Sequence, residues 1–450
     1  MTVSKSLPGF RDFFPAEFAE RAYIVNTWRS VARRYAFVEY DGPPLEPLEL
    51  YTRKSGDEIV GQLYNFEDKG GRAVALRPEM TPTFARMVAS RANALRKPVR
   101  WFSVPQLFRY ERQQRGRLRE HFQLNVDLVG ESDVSADAEL LAVAIDILRA
   151  FGLAAGDVVA RVSDRRLLAA LLAGVGVAEE QLPVAYAAID KIERDPAPVL
   201  LERLAAAGID MRVGEQVLGL ARPWTVAELR AQHPGAGEHV DRVERYLAHL
   251  DALGVSEWVK LDLTIVRGLA YYTGIVFEIF DRQGELRAIC GGGRYDTLLS
   301  SLGGVDLPAL GFGMGDVVLG ELLRDRGLMP AAEPSIHYWV AYDDAALLPM
   351  AMRTATLLRK LGYAVEYALR DQSFDKQLKA ARAAGAVAAV MLRREALASA
   401  QAVTLRRLAD KAEETLTMQA WMDQLTSAHE GRPPVDGLTG PTQNGKLSHD

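Results

Sequence analysis

Phe108-Arg109-Tyr-Glu111-Arg112-Gln-Gln-Arg115-Gly-Arg117-Leu-Arg119-Glu-His121-Phe-Gln123-Leu-Asn125-Val-Asp127-Leu-Val-Gly130 holds two patterns in direct succession. The first packs five arginines into the eleven residues from Arg109 to Arg119. Such a run is ordinarily a solvated surface. Here Arg109 closes the apolar stretch Val104 to Phe108, where a charge without an anionic partner is costly. A guanidinium fork donates two parallel hydrogen bonds to a phosphate, so the loop reads as a cradle for a triphosphate. The second pattern is strict alternation: His121, Gln123, Asn125 and Asp127 fall on one face of a strand, and Phe122, Leu124, Val126 and Leu128 on the other. A face open to water also alternates, but it more often carries Lys, Glu and Thr. Two amides, an imidazole and a carboxylate instead suggest the floor of a pocket for a small polar ligand. Residues 100–130 therefore read as a hairpin, two strands joined by a polar loop.

Upstream, residues 17–37 have helical spacing and begin just after Pro15, a plausible helix start. The stretch FVEYDGPPLEPLELY contains three prolines and reads as edge strand and turn. Downstream, residues 136–151 form an amphipathic helix, and residues 165–250 are Ala/Leu-rich and helical. Strand text returns at VKLDLTIV and YYTGIVFEIFD, so the helical block is an insertion inside one β-rich domain whose sheet resumes near residue 255. After the linker GLMPAAEPS, strands and helices alternate, which predicts a small α/β domain with a parallel or mixed sheet. The residues from HEGRPPVDGLTG onward are Pro/Gly/polar and are expected to be disordered.

The bulk numbers narrow the function classes. At 450 residues the chain needs two to four domains. Cys290 is the only cysteine, so an intrachain disulfide and a thiolate zinc site are both excluded, and no metal ligand set is read. The amino terminus lacks an apolar run long enough for a signal peptide, and no stretch could span a bilayer. A net charge of −5 argues against a general nucleic-acid coat but permits one local basic surface. No internal repeat is visible.

Two more segments belong with the hairpin. Arg77-Pro-Glu79-Met-Thr81-Pro-Thr83 places a carboxylate and hydroxyls at the mouth of a helix, suited to an α-ammonium group, although capping alone would explain the threonines. Arg267-Gly-Leu-Ala-Tyr271-Tyr272-Thr-Gly274 sets an arginine and two phenols beside glycines, although buried tyrosines are more often core. The cluster Gly291 to Asp296 permits close backbone approach to a ligand, but equally makes tight turns, and it is not a Walker loop.

These segments together resemble the histidyl-tRNA synthetases. FRYERQQRGRLREHFQ is similar to motif 2 of the class II aminoacyl-tRNA synthetases, and VRGLAYYTGIVFE and GGGRYD resemble segments peculiar to the histidine enzymes. LPGFRDFFP and LRPEMTPTFAR resemble the family's amino-terminal region and amino-acid-binding turn, and the resemblance covers residues 5–425. It implies an antiparallel-sheet catalytic domain in two parts (1–155 and 253–330), a helical insertion (156–252), an α/β anticodon-binding domain (334–426) and a tail (427–450). It implies ligation of L-histidine to tRNA(His) with ATP and Mg²⁺, in a cytoplasmic homodimer with residues 17–47 in the interface and no membrane attachment. Glu79 and Gln123 would hold the α-ammonium with Thr81 nearby. Asp127, Tyr271 and Tyr272 would line the imidazole site. Arg109 would bind the α-phosphate and carboxylate, while Glu111 and Arg117 belong to the ATP site, Arg117 at the outer phosphates. Arg267 would stabilise charge developing on the α-phosphate.

The chain departs from the common pattern at three places. Asp127 stands where most members have Glu, Ala270 where most have Asp, and Val318 where most have a motif 3 arginine packed over adenine. The same replacements resemble a divergent branch seen in plants and some bacteria. Two other readings share the fold: a non-catalytic regulatory subunit of ATP phosphoribosyltransferase, and a tRNA-sensing module. The first usually lacks the anticodon domain, and residues 335–425 are present here.

Overall fold

The computed structural model describes residues 5–52, 61–111, 116–266, 271–284, 286–331 and 336–430, with side chains to residue 427. The chain divides into two compact units, Met1–Pro330 and Ala331–Asp450. Among the described residues no helix is long and apolar enough to cross a membrane.

The first unit contains β1 (Val38–Glu39), β2 (Leu45–Pro47), β3 (Asn65–Glu67), β4 (Ala73–Leu76), β5 (Val99–Ser103), β6 (Gln106–Phe108) and β7 (Glu120–Val129). It continues with β8 (Val158–Asp164), β9 (Val259–Leu261), β10 (Ile275–Asp281), β11 (Cys290–Arg294) and β12 (Ala309–Gly315). The large sheet runs β1-β5-β7-β12-β11-β10-β8-β9, with β6 also on β7, and β2-β4-β3 form a small separate sheet. All ladders between β5 and β8 are antiparallel, and the outer pairs β1/β5 and β8/β9 are parallel. The hairpin expected over residues 100–130 has a bipartite first arm, because both β5 and β6 pair with β7.

One face of this sheet carries the core. Leu124, Val126, Leu128, Val158, Ala160, Phe277, Ile279, Leu310 and Met314 pack against helices Pro15–Arg34, Val134–Ala150 and Asp316–Asp325. Helix Pro15–Arg34 starts on a proline, whose missing N–H costs nothing in the first turn, with Glu17 at its start and Arg33 and Arg34 at its end complementing the dipole. Helix Val134–Ala150 is capped by the Asp133 carboxylate, which accepts from Ser135 N, and is buried on nearly every side. Within that helix Asp137 meets Arg294 of β11 at 2.6 Å, both side chains almost fully buried. Glu131 O and Asp133 O accept further bonds from the same guanidinium. Removing one partner of such a pair typically costs about 3–5 kcal/mol, because the other charge stays buried alone.

The strand expected over VKLDLTIV is cut to Val259–Leu261. Asp262 turns the chain: its Oδ1 accepts from Thr264 N and Oγ1, and its Oδ2 from Arg161 Nε. The helical block between β8 and β9 has its own core, including Leu167, Leu171, Leu200, Leu204, Val217 and Val240.

The second unit holds β13 (Tyr338–Tyr342), β14 (Val365–Tyr367), β15 (Ala388–Leu392), β16 (Ala402–Arg407) and β17 (Glu413–Thr417). The order is β14-β13-β15-β16-β17, parallel at the first two pairings and antiparallel at the last two, a mixed sheet. Val340 and Tyr342 face one core with Leu358 and Trp421, while Trp339 and Ala341 face another with Leu378 and Ala381. The last helix, Met418–Glu430, continues through 427–430, where a disordered tail was expected. The rest of that tail, 431–450, lies outside the described residues.

Candidate active site

The sheet's other face is where the alternating residues point. Strand register puts Asp127 opposite Gly311 and Asn125 opposite Gly313, and then Gly293 and Gly291 beyond them on β11. At these positions the two central strands thus present only glycine to this face. A Cβ on Gly311 would press into Asp127 Oδ1 and lie 2.9 Å from Tyr295 Oη, and one on Gly313 would lie 2.8 Å from Gln123 Cδ. A Cβ on Gly293 would lie 3.0 Å from Tyr272 Cδ1. Glycine is required at 311 and 293 by proximity to backbone carbonyls, not by backbone angle, whereas at 313 a side chain would have to push the Gln123 amide aside. The result is a shallow floor edged by polar side chains. Asn125 and Asp127 are 7% and 4% exposed, so this is not a face open to water.

At one end Asp127 accepts a hydrogen bond from the Tyr295 hydroxyl. Burial pushes the Asp127 carboxyl up to about 7, against the opposing pull of that bond. Tyr271, Tyr272 and Tyr295 form an aromatic group, with ring centroids 5.0 Å apart for Tyr271/Tyr272 and 5.9 Å for Tyr271/Tyr295. Glu79, buried, precedes helix Thr81–Arg91. No side chain caps that helix, so Thr81 and Thr83 are not serving as caps; Thr83 Oγ1 faces Tyr51 Oη at 3.4 Å. Arg109 Nε donates to Pro78 O at 2.9 Å, which ties the loop's first arginine to the turn carrying Glu79.

Beside this end opens a cleft of about 1200 Å³, with Arg109, Glu111, Arg117, His121 and Gln123 in its wall. Glu111, 8% exposed, pairs with Arg117 at 3.0 Å and lies 3.8 Å from Arg109. The His121 imidazole is held neutral: burial, then the charges of Arg109 and Arg11, push its pKa down to about 3. Val318 also lines the cleft and would be 3.3 Å from a Cβ on Gly116.

A family model described as histidyl-tRNA synthetase matches residues 9–315, and one described as anticodon binding domain matches residues 330–427. The chain belongs to the histidyl-tRNA synthetase family. It is 45% identical to the histidine–tRNA ligase of Opitutus terrae over 92% of this chain and 96% of that protein. It is 43% identical to the chloroplastic/mitochondrial histidine–tRNA ligase of Arabidopsis thaliana, over 81% of this chain and 75% of the other. The fold is that of the histidyl-tRNA synthetase crystal structure from Nostoc sp. PCC 7120, with a TM-score of 0.80 and 24% identity over 95% of this chain and all of that one.

Against this family background, Arg109, Glu111, Arg117 and Gln123 share the cleft wall, and Asp127, Tyr271, Tyr272 and Tyr295 gather at its neighbour. Glu79 and Thr81 stand on the turn bonded to Arg109. Arg267 lies outside the described residues, as do Ala270, Arg112 and Arg115. Sequence reading missed Tyr295. Its signal was the cluster Gly291–Asp296, in which each last residue has its own task. Arg294 fixes the helix behind the sheet, Tyr295 reaches Asp127, and Asp296 takes Arg166 of the insertion at 2.8 Å.

Proposed function

We propose that this protein is a histidine–tRNA ligase: it forms histidyl-adenylate and diphosphate from L-histidine and ATP, then passes histidine to the 3′ end of tRNA(His). The observation that carries this reading is the glycine-floored face, which sets a buried carboxyl–phenol pair beside a cleft walled by arginines. With Oδ1 of Asp127 engaged by Tyr295, Oδ2 is the oxygen for an imidazole N–H, and Tyr271 and Tyr272 enclose the ring. A site that pairs polar groups rejects analogues that leave them unsatisfied. Glu79, Gln123 and Thr81 hold the α-ammonium. Arg109 then takes the α-phosphate and the substrate carboxylate, and Glu111 and Arg117 serve the ATP site, Arg117 at the outer phosphates. The histidine carboxylate attacks the α-phosphorus and diphosphate leaves; no protein nucleophile is needed. Arg267 stabilises the charge that develops there. In the second step the terminal ribose hydroxyl attacks the acyl carbon and AMP leaves.

Mg²⁺ fits as an ion carried by ATP. Among the described residues no three His, Cys, Asp or Glu stand close enough to hold a metal, whereas Mg²⁺ on a nucleotide needs only one or two carboxylates, and Glu111 is at hand. A homodimer through residues 17–47 is supported by exposed apolar side chains there: Phe18 is 49% exposed, Val38 62% and Leu45 37%. The cytoplasm is the proposed compartment, in keeping with a sequence that holds a single cysteine and so no intrachain disulfide. The domain limits read from the sequence are part of the same proposal. A regulatory-subunit role is disfavoured by the anticodon-binding match over residues 330–427. Histidine-dependent exchange of labelled diphosphate into ATP, followed by charging of total tRNA with each amino acid in turn, tests the reading. Exchange with histidine alone is expected; no exchange, or charging with another amino acid, would overturn it.

A further inference from the structure

Tyr272 and Tyr295 both stand outside the ladder that joins β10 to β11, one shortly before the first strand and the other just after the second. A clasp joins the residues that follow each of them. Thr273 N donates to Arg294 O at 2.7 Å, and Asp296 N donates to Thr273 Oγ1 at 3.0 Å. The same hydroxyl lies 3.2 Å from Asp296 Oδ2, to which it donates.

The clasp is closed from the helical block. Arg166 is the second residue of helix Arg165–Gly174, which follows β8 directly. Its Nε donates to Thr273 O at 2.9 Å, and a terminal nitrogen donates to Asp296 Oδ2 at 2.8 Å. The helix that carries it is itself well anchored. Asp164 caps it by accepting from Arg166 N, and Leu167, Leu168 and Leu171 are buried in the core of the helical block. Arg166 is exposed and is not among the residues that wall the cleft. An exposed ion pair contributes little to global stability. A rigid guanidinium that bonds two acceptors nevertheless fixes the distance and angle between them.

We infer that Arg166 is a positioning residue for the histidine pocket. By bridging Thr273 and Asp296 it makes the helical block set the spacing of the Tyr272 and Tyr295 rings, 6.5 Å between centroids, and through Tyr295 the place of the Asp127 carboxyl. The inference rests on the histidine reading of that pocket.

The test is histidine-dependent diphosphate exchange by the full-length chain and by Arg166→Ala, Arg166→Lys, Asp296→Asn and the double variant of Arg166→Ala with Asp296→Asn. For Arg166→Ala the KM for histidine should rise about 5- to 20-fold, less than the loss that a displacement of about 1 Å can cause. The KM for ATP and the melting temperature should hold. Arg166→Lys keeps one of the two bonds and should recover part of the loss. Because the two residues act in one clasp, the double variant should match the worse single variant within about twofold. An unchanged KM for histidine in Arg166→Ala would overturn the inference. So would additive effects in the double variant, or equal rises in both KM values with a lowered melting temperature, which would leave Arg166 a structural role only. Absence of exchange in the unmodified chain would instead sink the histidine reading, and the inference with it.

Discussion

The carboxyl of Asp127 keeps its proton to about pH 7 because burial outweighs the Tyr295 bond. In the unfolded chain an aspartate loses its proton near 3.9. Between those values the folded state holds the extra proton, so this group's contribution to stability falls as pH rises through that window. His121 works in the opposite sense: with its pKa pushed to about 3, it costs stability as pH falls from about 6.5 toward that value. Replacing Asp127 with Asn removes the first effect. The unliganded Asp127→Asn variant should lose less melting temperature between pH 5 and pH 8 than the parent, while its KM for histidine rises at least about tenfold. Its KM for ATP should stay within about twofold, and equal rises in both would take Asp127 out of the imidazole site. Asp127, Gln123 and Asn125 were legible in the sequence because alternation along one strand is a local signal. Tyr295 was not, since its bond to Asp127 spans 168 positions and depends on strand register, which no local pattern records.

Among the elements, β11 and β12 are unusual in being shaped by what they omit. Gly291, Gly293, Gly311 and Gly313 line up across the two strands and leave the sheet face bare. A methyl at position 311 must displace the Asp127 carboxyl and also crowds Tyr295 and the Val126 carbonyl. Gly311→Ala should therefore raise the KM for histidine by about tenfold or more, the penalty of misplacing one buried polar contact, with a smaller change for ATP. A crystal or binding measurement showing unaltered histidine affinity would mean the pair is not part of the pocket. The amphipathic helices were readable from periodicity, as at Pro15–Arg34 and Val134–Ala150. Strand ends were less so. VKLDLTIV has a strand's composition, yet side-chain bonds at Asp262 stop β9 after three residues. The glycine cluster was visible but ambiguous, since turns and ligand approach call for the same residue.

At the scale of the molecule, the residues proposed for the nucleotide and the amino acid all lie in the unit Met1–Pro330, and the anticodon-binding match lies almost wholly in the other. A chain ended at Pro330 should keep histidine-dependent exchange and lose roughly a hundredfold in kcat/KM for tRNA, equivalent to about 3 kcal/mol of contacts. Parallel loss of exchange would show that the units are energetically inseparable. The join of β7 to β12 also governs how the protein is born. Gly311 follows its neighbour Asp127 by some 180 positions, and the helical insertion with its separate core lies in between. At a synthesis rate of about 5–20 residues per second, roughly ten to forty seconds pass before the second strand emerges. During that interval β7 waits on the ribosome with an unpaired edge while the insertion has already collapsed. Nascent chains of this protein are therefore expected to be most exposed to aggregation in the middle of translation, between the emergence of β7 and that of β12.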